Sequence, residues 1–323
     1  MDEILYPKKI TITMRKVVIL RATGGELSNQ LWNYTSVYAY TLEKKLRLEN
    51  PSFFEYGNYF TMSAPNLFLK LFFFLPFTNY TKRKNSFMRR LWRKAYAYYA
   101  KIITTGYEES ILSSDNSENE PFYLPPTSEN KNLSSLEKSV DTLYLDGWLF
   151  RNPIGIQKYR KEIRDYIKPR PDIENEVADT IKKLRSEFTH IVGVHIRQGD
   201  YATWRNGVYF IPQTRVRKIL DEYLKTTNNN VAETCFAVTS DGPVDASLFG
   251  GLNISISKGN AVHDLFLLSS TDVILGSNST FGAFASYYGN IPLIVMQKEQ
   301  MDWGYYSDKK SYFENKYCTM VHY

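Results

Sequence analysis

Cysteine and histidine are scarce, with only two and four residues in the 323-residue sequence. Cys235 and Cys318 lie far apart, and the histidines are scattered, so no Cys/His cluster has the spacing of a zinc site. A disulfide framework is excluded, and nothing in the sequence demands an oxidising compartment. We therefore predict no metal site.

Four common catalytic signatures are missing as well. The absence of Gly-x-x-x-x-Gly-Lys-Ser/Thr excludes a P-loop, and the absence of Gly-x-Ser-x-Gly argues against an α/β-hydrolase. No Gly-x-Gly-x-x-Gly follows the first apolar run, which argues against a dinucleotide site. Asp-x-Asp is also absent, although transferases that hold a nucleotide diphosphate through a divalent metal normally use such paired carboxylates. The nearest pairs, at 118–120 and 174–176, fall in a predicted loop and on a predicted solvated helix face.

Long apolar runs are absent too. The longest stretch, residues 67–77 (LFLKLFFFLPF), contains Lys70 and Pro76 and is well short of the roughly 20 residues that cross a bilayer. The N-terminus lacks the basic region and the apolar core of a signal peptide. We therefore expect no transmembrane helix and a cytoplasmic location, with peripheral contact at the inner face of a membrane as a further expectation.

The composition that remains is that of a globular protein, with 43% hydrophobic and 23% charged residues. Such a chain can bury a sizeable core, and at roughly 100–200 residues per domain its length favours two domains. Aromatic residues reach 15%; they often line carbohydrate, nucleotide or membrane-facing surfaces, although a Tyr-rich core is the simpler explanation. The net charge of +6 favours an anionic partner.

One segment carries charge of a single sign, because no acidic residue occurs between Glu55 and Glu108. Three interpretations are open: a solvated basic helix over a local core, a patch on an anionic membrane surface, and nucleic-acid binding. Each cation near anionic headgroups adds about 1 kcal/mol. Nucleic acid is not expected as a partner, since the segment has no recognisable RNA- or DNA-binding signature. Its cations, interleaved with aromatic rings, are Lys70, Lys82, Arg83, Lys84, Arg89, Arg90, Arg93, Lys94 and Lys101.

Secondary-structure patterns predict an α/β protein. A strand over 15–21, a glycine turn and a helix over 31–46 open the chain, as in Rossmann-like domains. The middle, 50–140, is irregular and includes a polar loop over 113–139. Residues 142–150 are predicted as a strand that runs into a turn, and residues 156–168 as a helix. Prolines at 169 and 171 end that helix, and we place the domain boundary there, between 1–168 and 169–323.

Apolar strands and helices alternate again beyond the boundary. Three of these predicted strands, at 190–196, 234–239 and 272–275, end in turns rich in Gly, Ser, Asp and Arg. In an open parallel sheet the carboxyl ends of the strands lie together and form the ligand crevice. The sequence therefore predicts a binding site at this edge.

Two of the turns suggest an anion site. Arg197 follows the first strand, and a guanidinium can fork onto two phosphate oxygens; alternatively, Arg197 and Asp200 form a structural ion pair. After the third strand, Ser279 or Thr280 begins a helix whose free N–H groups favour an anion, although plain capping explains the same residues. Together they describe a diphosphate site without a metal.

At this point the sequence resembles the α-1,2-fucosyltransferases of glycosyltransferase family 11. The resemblance rests on residues 24–34 (GGELSNQLWNY), 145–148 (LDGW), 192–201 (VGVHIRQGDY), 240–241 (SD) and 264–282 (DLFLLSSTDVILGSNSTFG). These motifs appear in the order of the family and extend over most of the chain. Where the family commonly carries a second arginine, this chain has Gln198.

The resemblance implies a GT-B-type fold, with two Rossmann-like domains facing across a cleft. Residues 1–168 would form the acceptor side and residues 169–323 the side that binds the GDP-sugar. It implies an inverting, metal-independent transfer of L-fucose from GDP-fucose to a sugar hydroxyl of a glycan, α-1,2 to a galactoside. The implied acceptor is an oligosaccharide, including one carried on a membrane lipid, and no cofactor is expected.

The resemblance also implies roles for single residues. Arg197 would contact the diphosphate, and His195 would orient the loop or touch the donor. The acceptor hydroxyl would lose its proton to Asp200, or to solvent with Asn29 positioning the acceptor. Further donor-side residues would be Asp241 and Asp264 on guanine or ribose, and the N–H groups of Ser279, Thr280 and Phe281 on the diphosphate.

Two other functions remain open. The chain could be a glycosyltransferase of the same fold that uses another nucleotide sugar. It could also be a non-catalytic protein that binds sugar or membrane through its aromatic and basic segment. Donor hydrolysis separates these functions, because only an enzyme should slowly release GDP from GDP-fucose.

Overall fold

A computed structural model describes residues 14–21, 25–62, 87–114 and 120–321. The apolar run 67–77 and the cations at 70 and 82–84 lie outside the described residues. The described chain divides into two compact units, the first within 14–26, 30–58 and 87–165 and the second within 27–29, 59–62 and 166–321. Each unit has a parallel sheet of its own.

The first unit contains a four-stranded parallel sheet in the order β2-β1-β5-β3 and a small parallel pair, β4-β6. In the register, Val17 of β1 lies between Leu48 of β2 and Leu143 of β5. Val17 and Leu143 are fully buried, as expected for the middle of a parallel sheet. The strands are β1 (Lys16–Arg21), β2 (Arg47–Glu49), β3 (Ile111–Ser113), β4 (Phe122–Tyr123), β5 (Thr142–Asp146) and β6 (Phe150–Arg151).

The second unit contains a five-stranded parallel sheet in the order β11-β10-β7-β8-β9. Its central strands carry continuous apolar runs, because helices cover both faces of such a sheet; Val192, Val194, Phe236 and Val238 are fully buried. The strands are β7 (His190–Ile196), β8 (Thr234–Ser240), β9 (Asn253–Ile256), β10 (Val273–Gly276) and β11 (Leu293–Val295).

Helices alternate with these strands along the chain, and several begin at side-chain caps. Asn260 and Ser279, for example, each accept a hydrogen bond from a backbone N–H of the helix that follows. The helices are α1 (Leu27–Lys44), α2 (Phe87–Thr104), α3 (Lys131–Ser139), α4 (Pro153–Lys158), α5 (Arg160–Tyr166), α6 (Pro171–Glu187), α7 (Gln213–Thr227), α8 (Ala261–Ser269) and α9 (Thr280–Gly289).

Three local predictions were wrong. The polar stretch 113–139 ends in α3, because the Asn130 side chain caps the N–H groups of Asn132 and Leu133, and Leu133 is fully buried. The helix expected over 156–168 is split into α4 and α5 near Tyr159. Strand β9, which the pattern missed, is only half-buried and pairs with the edge of β8.

The acid-free segment contains α2, and on this helix Arg89 and Arg93 form ion pairs with glutamates of the first unit. Arg89 is 4% exposed and pairs with Glu26 and Glu55, while Arg93 also pairs with Glu55. The interpretation of the segment as a basic patch is therefore wrong for Arg89, which is buried, while Arg93 is half-buried and paired with Glu55. Their charge is satisfied within the first unit. Among the described residues, no helix has the length and apolar character needed to span a membrane.

Candidate functional site

The three strands with polar ends, β10, β7 and β8, are neighbours in the second sheet. His195 in β7 lies beside Gly276 of β10 on one side and Thr239 of β8 on the other. All three strands run parallel, so the loops that follow them meet at one sheet edge. This edge is the candidate site.

Arg197 lies at the centre of this edge, held by two carboxylates. Its Nη2 donates to Asp200 Oδ1 at 2.9 Å, and its Nη1 lies 3.2 Å from Asp241 Oδ2. The Arg197 backbone N–H donates to the Ser277 hydroxyl at 3.1 Å, which joins the β7 loop to the β10 loop. The structural ion pair proposed from the sequence is therefore present, and a second carboxylate joins it.

The two carboxylates differ in their freedom. The Asp200 side chain is 60% exposed, whereas that of Asp241 is 17% exposed. Oδ1 of Asp241 also accepts the backbone N–H of Gln198 at 2.7 Å. Gly199 makes this approach possible, because a Cβ there would lie 2.4 Å from Asp241 Oδ2. Asp241 thus fixes one edge of the guanidinium, and Asp200 covers the other from the solvent side.

The side chain of Gln198 joins the loop after β7 to the loop after β8. Its Nε2 donates to Ser240 Oγ at 3.1 Å and to the Pro243 carbonyl at 2.9 Å. Gln213, at the start of α7, donates to Gln198 Oε1 and to the Pro243 carbonyl, each at 2.9 Å, and accepts the N–H of Asp245. The residue that departs from the family pattern therefore acts here as a loop anchor.

His195 is buried near the end of β7, two residues before Arg197. It is 4% exposed, its ring stacks on Phe281 with centroids 4.9 Å apart, and its Nδ1 has no hydrogen-bond partner in the described part of the chain. Burial lowers the pKa of His195 to about 3, and the positive charge of Arg197 adds to that effect. The imidazole is therefore neutral at pH 7 and too weak a base to accept the proton of an acceptor hydroxyl.

The turn between β10 and α9 forms the third side of the edge. Ser279 caps α9 by accepting the N–H of Phe281 at 3.2 Å, and the Tyr201 hydroxyl donates to the Asn278 carbonyl at 3.1 Å. Since the cap already engages the Phe281 N–H, the contact that Phe281 makes at this edge is its ring stacking on His195. Ser279 and Thr280 lie at the start of α9, where a helix dipole favours an anion.

The remaining predicted residues lie outside this hydrogen-bonded group. Asp264, in the first turn of α8, accepts the Ser257 hydroxyl and lies 3.8 Å from His263 Nδ1; among the described residues it forms no ion pair with Arg197. Asn29 is half-buried in the first turn of α1. Its role on the acceptor side stays a prediction.

Sequence reasoning missed an aromatic group next to Arg197. Tyr201, which lies 5.2 Å below the Arg197 guanidinium, stacks on Trp204 with centroids 5.5 Å apart. Tyr209 lies 5.5 Å from Trp204. Only Tyr201 belongs to the loop motif; the aromatic clustering over 201–210 was the signal for the other two. Ser277 and Gln213 were missed because their partners are distant in sequence.

The described ranges contain no group of three or more His, Cys, Asp and Glu side chains arranged to hold a metal ion.

No protein-family model matches the sequence, and no curated protein matches it either. Solved structures do match the fold. An Arg-to-Lys mutant of Arabidopsis thaliana FUT1 in complex with GDP is 13% identical, with 89% of this chain and 71% of that chain covered and a TM-score of 0.50. Fucosyltransferase NodZ from Bradyrhizobium is also 13% identical, with 88% and 95% covered and a TM-score of 0.50.

A third match is POFUT1 in complex with GDP-fucose, at 10% identity, with 87% of this chain and 95% of that chain covered and a TM-score of 0.50. This chain therefore has an α/β fold with parallel sheets like those of solved fucosyltransferases. The predicted fold class, α/β and GT-B-type, is confirmed.

Proposed function

We propose that the protein is a glycosyltransferase that moves L-fucose from GDP-fucose to a sugar hydroxyl. The observation that carries the proposal is Arg197, fixed between Asp200 and Asp241 at the carboxyl end of β7 and beside the start of α9. The fold supports it, because the similar structures include one in complex with GDP and one in complex with GDP-fucose.

On the donor side, Arg197 contacts the diphosphate. The leaving GDP gains negative charge as the glycosidic C–O bond breaks, so a fixed guanidinium stabilises the transition state more than the ground state. The N–H groups of Ser279 and Thr280 add to this at the start of α9. Asp264 holds the guanine or the ribose. In this proposal Arg197 supplies the positive charge, and catalysis needs no metal.

For Asp241 we propose a changed role. Both of its oxygens are engaged, one by Arg197 and one by the Gln198 N–H, so it positions the guanidinium instead of holding guanine or ribose. His195, neutral and buried against Phe281, supports the loop from below. The guanidinium edge that Asp200 covers is the one that a diphosphate takes, because Asp200 is the more exposed of the two carboxylates.

On the acceptor side, a hydroxyl attacks the anomeric carbon from the face opposite GDP, and the configuration inverts. The hydroxyl proton goes to Asp200 once the diphosphate has displaced it from Arg197, or to solvent while Asn29 positions the acceptor. From the resemblance in sequence, we propose α-1,2 transfer to a galactoside of an oligosaccharide. A glycan growing on a membrane lipid is one such acceptor.

The direct test is release of GDP from GDP-fucose by wild type and Arg197→Lys. The ammonium group of lysine keeps the positive charge but cannot donate from two fixed nitrogens as a guanidinium does. Each lost charge-assisted hydrogen bond costs about 1.5–3 kcal/mol. We expect kcat/KM to fall roughly 10- to 100-fold. Arg217→Lys is the matched control, because Arg217 makes a similar two-nitrogen pair with Asp221 on α7. Near-normal activity of Arg197→Lys would refute the assignment.

The same assay with other GDP- and UDP-sugars tests the donor, and an acceptor array with linkage analysis of the product tests α-1,2 transfer. Release of nucleotide from a different sugar alone would favour a glycosyltransferase with another donor. No release from any of them would favour a binding protein.

Asp200→Asn separates the two candidates for the base. If Asp200 only covers Arg197, its neutral variant removes repulsion of the diphosphate, so the donor KM falls while kcat is kept. If Asp200 accepts the proton, kcat falls about 100-fold or more. A normal KM together with a normal kcat would contradict both roles.

A further inference from the structure

The outward side of α2 carries apolar residues at helical spacing. Phe87 and Tyr98 are each 70% exposed, Ile102 56% and Leu91 49%. Their spacing of four, seven and four positions puts them within about 60° of one another around the helix axis. We call these four residues the apolar stripe.

A row of cations runs along one flank of the apolar stripe. Arg90, Lys94 and Lys101 are exposed and lie within about 40° of one another around the axis. None of them forms an ion pair with any described residue. The nearest acidic residues along the chain after α2 are Glu108 and Glu109, beyond its last turn. We call these three residues the cation row.

The opposite side of α2 already holds the helix on the first unit. Arg89 pairs with Glu55, the Tyr96 hydroxyl donates to the Leu20 carbonyl at 2.6 Å, and the Tyr96 ring packs on Phe54. A surface helix needs one apolar face to do this. The apolar stripe is a second such face, and an exposed apolar patch with a charged rim marks an interaction site.

We propose that the outward side of α2 lies on an anionic membrane surface. Helices that lie in the headgroup region pair a row of Lys and Arg with Phe, Leu and other apolar residues, and α2 has both rows side by side. The cation row contacts lipid phosphates, and the apolar stripe packs at the boundary between headgroups and acyl chains. A protein partner would need an apolar groove and an acidic rim that align with the apolar stripe and the cation row. An anionic bilayer presents acyl chains and negative headgroups at every position of its surface.

The test is co-sedimentation of the full chain with vesicles. Neutral vesicles are phosphatidylcholine alone, and anionic vesicles contain equal parts of phosphatidylglycerol and phosphatidylcholine. We expect binding to the anionic vesicles and much less to the neutral ones. Binding should weaken as salt rises from 0.1 M to 1 M, because the Debye length falls from about 10 Å to about 3 Å. This arm uses the unmodified protein and requires no variant to fold.

Variants locate the contact. Each cation near an anionic surface strengthens partitioning about fivefold, so Arg90→Ser, Lys94→Ser and Lys101→Ser together should weaken binding roughly 100-fold. Leu91→Ser with Tyr98→Ser should weaken binding at high salt as well, since the apolar contribution is not screened.

The matched control removes three exposed lysines from helices α6 and α7: Lys182→Ser, Lys183→Ser and Lys225→Ser. It lowers the net charge by the same amount and should bind nearly as wild type does. An unchanged thermal midpoint checks that the α2 variants are folded.

Three results would overturn the proposal. The first is equal binding to neutral and anionic vesicles, or none to either. The second is a cation-row variant that binds anionic vesicles as wild type does, or a control variant whose vesicle binding falls as much as that of the cation-row variant. The third is a wild-type dimer in sedimentation velocity that the Leu91→Ser and Tyr98→Ser variant dissociates, because a second copy would then cover the stripe.

Discussion

Replacing Arg89 by Ala removes the centre of a buried ionic cluster in the first unit. Arg89 donates to both oxygens of Glu55 at 3.1 and 2.8 Å and to both oxygens of Glu26 at 3.2 and 2.9 Å. The Glu55 side chain is 4% exposed, and it also forms an ion pair with Arg93. The variant leaves a buried carboxylate with half of its neutralising charge.

The expected cost follows from that burial. Removing one partner of a buried ion pair costs about 3–5 kcal/mol, against roughly 0–1 kcal/mol for an exposed pair. In a domain of this size each kcal/mol shifts the thermal midpoint by about 2–4 °C, so we expect Arg89→Ala to lower it by roughly 6–20 °C. Calorimetry of the full chain measures the shift.

The neighbouring residue provides the control. Arg90 lies on the same helix, is exposed and forms no ion pair with a described residue. Arg90→Ala should change the free energy of unfolding by about 0.5 kcal/mol or less. Equal shifts for Arg89→Ala and Arg90→Ala would refute the reasoning, because Arg89 differs from Arg90 in its burial and in its ion pairs with Glu26 and Glu55.

The cluster also predicts a pH dependence. Burial by itself would raise the pKa of Glu55, but hydrogen bonds and charge from Arg89 and Arg93 outweigh it, so the pKa is lowered. The stabilisation that ionised Glu55 contributes is therefore complete above the pKa of a glutamate in the unfolded chain, about 4.3. It is lost as the pH falls through the lower pKa of Glu55 in the folded protein. We expect the gap between wild type and Arg89→Ala to narrow in that acidic range; a gap independent of pH would count against the cluster.

Three further predictions concern the candidate site. Gln213→Ala frees the loop that carries Asp241, so the donor KM should rise roughly three- to tenfold with kcat nearly kept, whereas the exposed neighbour Thr214→Ala should change neither. The His195 imidazole stays neutral in the folded protein but gains a proton in the unfolded chain below about pH 6.5, so the free energy of unfolding decreases as the pH is lowered through that range. We expect His195→Asn to reduce this decrease between pH 7 and pH 5 by about 2 kcal/mol in urea titrations. An unchanged pH dependence of the free energy of unfolding would contradict the burial of His195. Activity should survive EDTA, and loss on chelation that Mn²⁺ or Mg²⁺ restores would refute the metal-free proposal.

Local pattern was enough to predict the elements that carry the site. Apolar runs ended by Gly, Ser and Asp predict β7, β8 and β10, and Ser279 predicts the start of α9. Side-chain alternation and helix caps involve only residues a few positions apart, so these elements can be predicted from the sequence without knowledge of the tertiary structure. The parallel arrangement of the three strand ends follows from the same pattern, because a parallel sheet brings its carboxyl ends to one edge.

Contacts between distant residues were decided by the tertiary structure alone. The pairing of Arg197 with Asp241 and the anchoring of Gln198 by Gln213 depend on which strands are neighbours, and no local signal encodes that. The acid-free segment gives the clearest case. Its sequence predicts a basic helix, but only packing against Glu26 and Glu55 decides that Arg89 is buried while Arg90 faces solvent, because burial of a charge depends on the partners that the fold supplies.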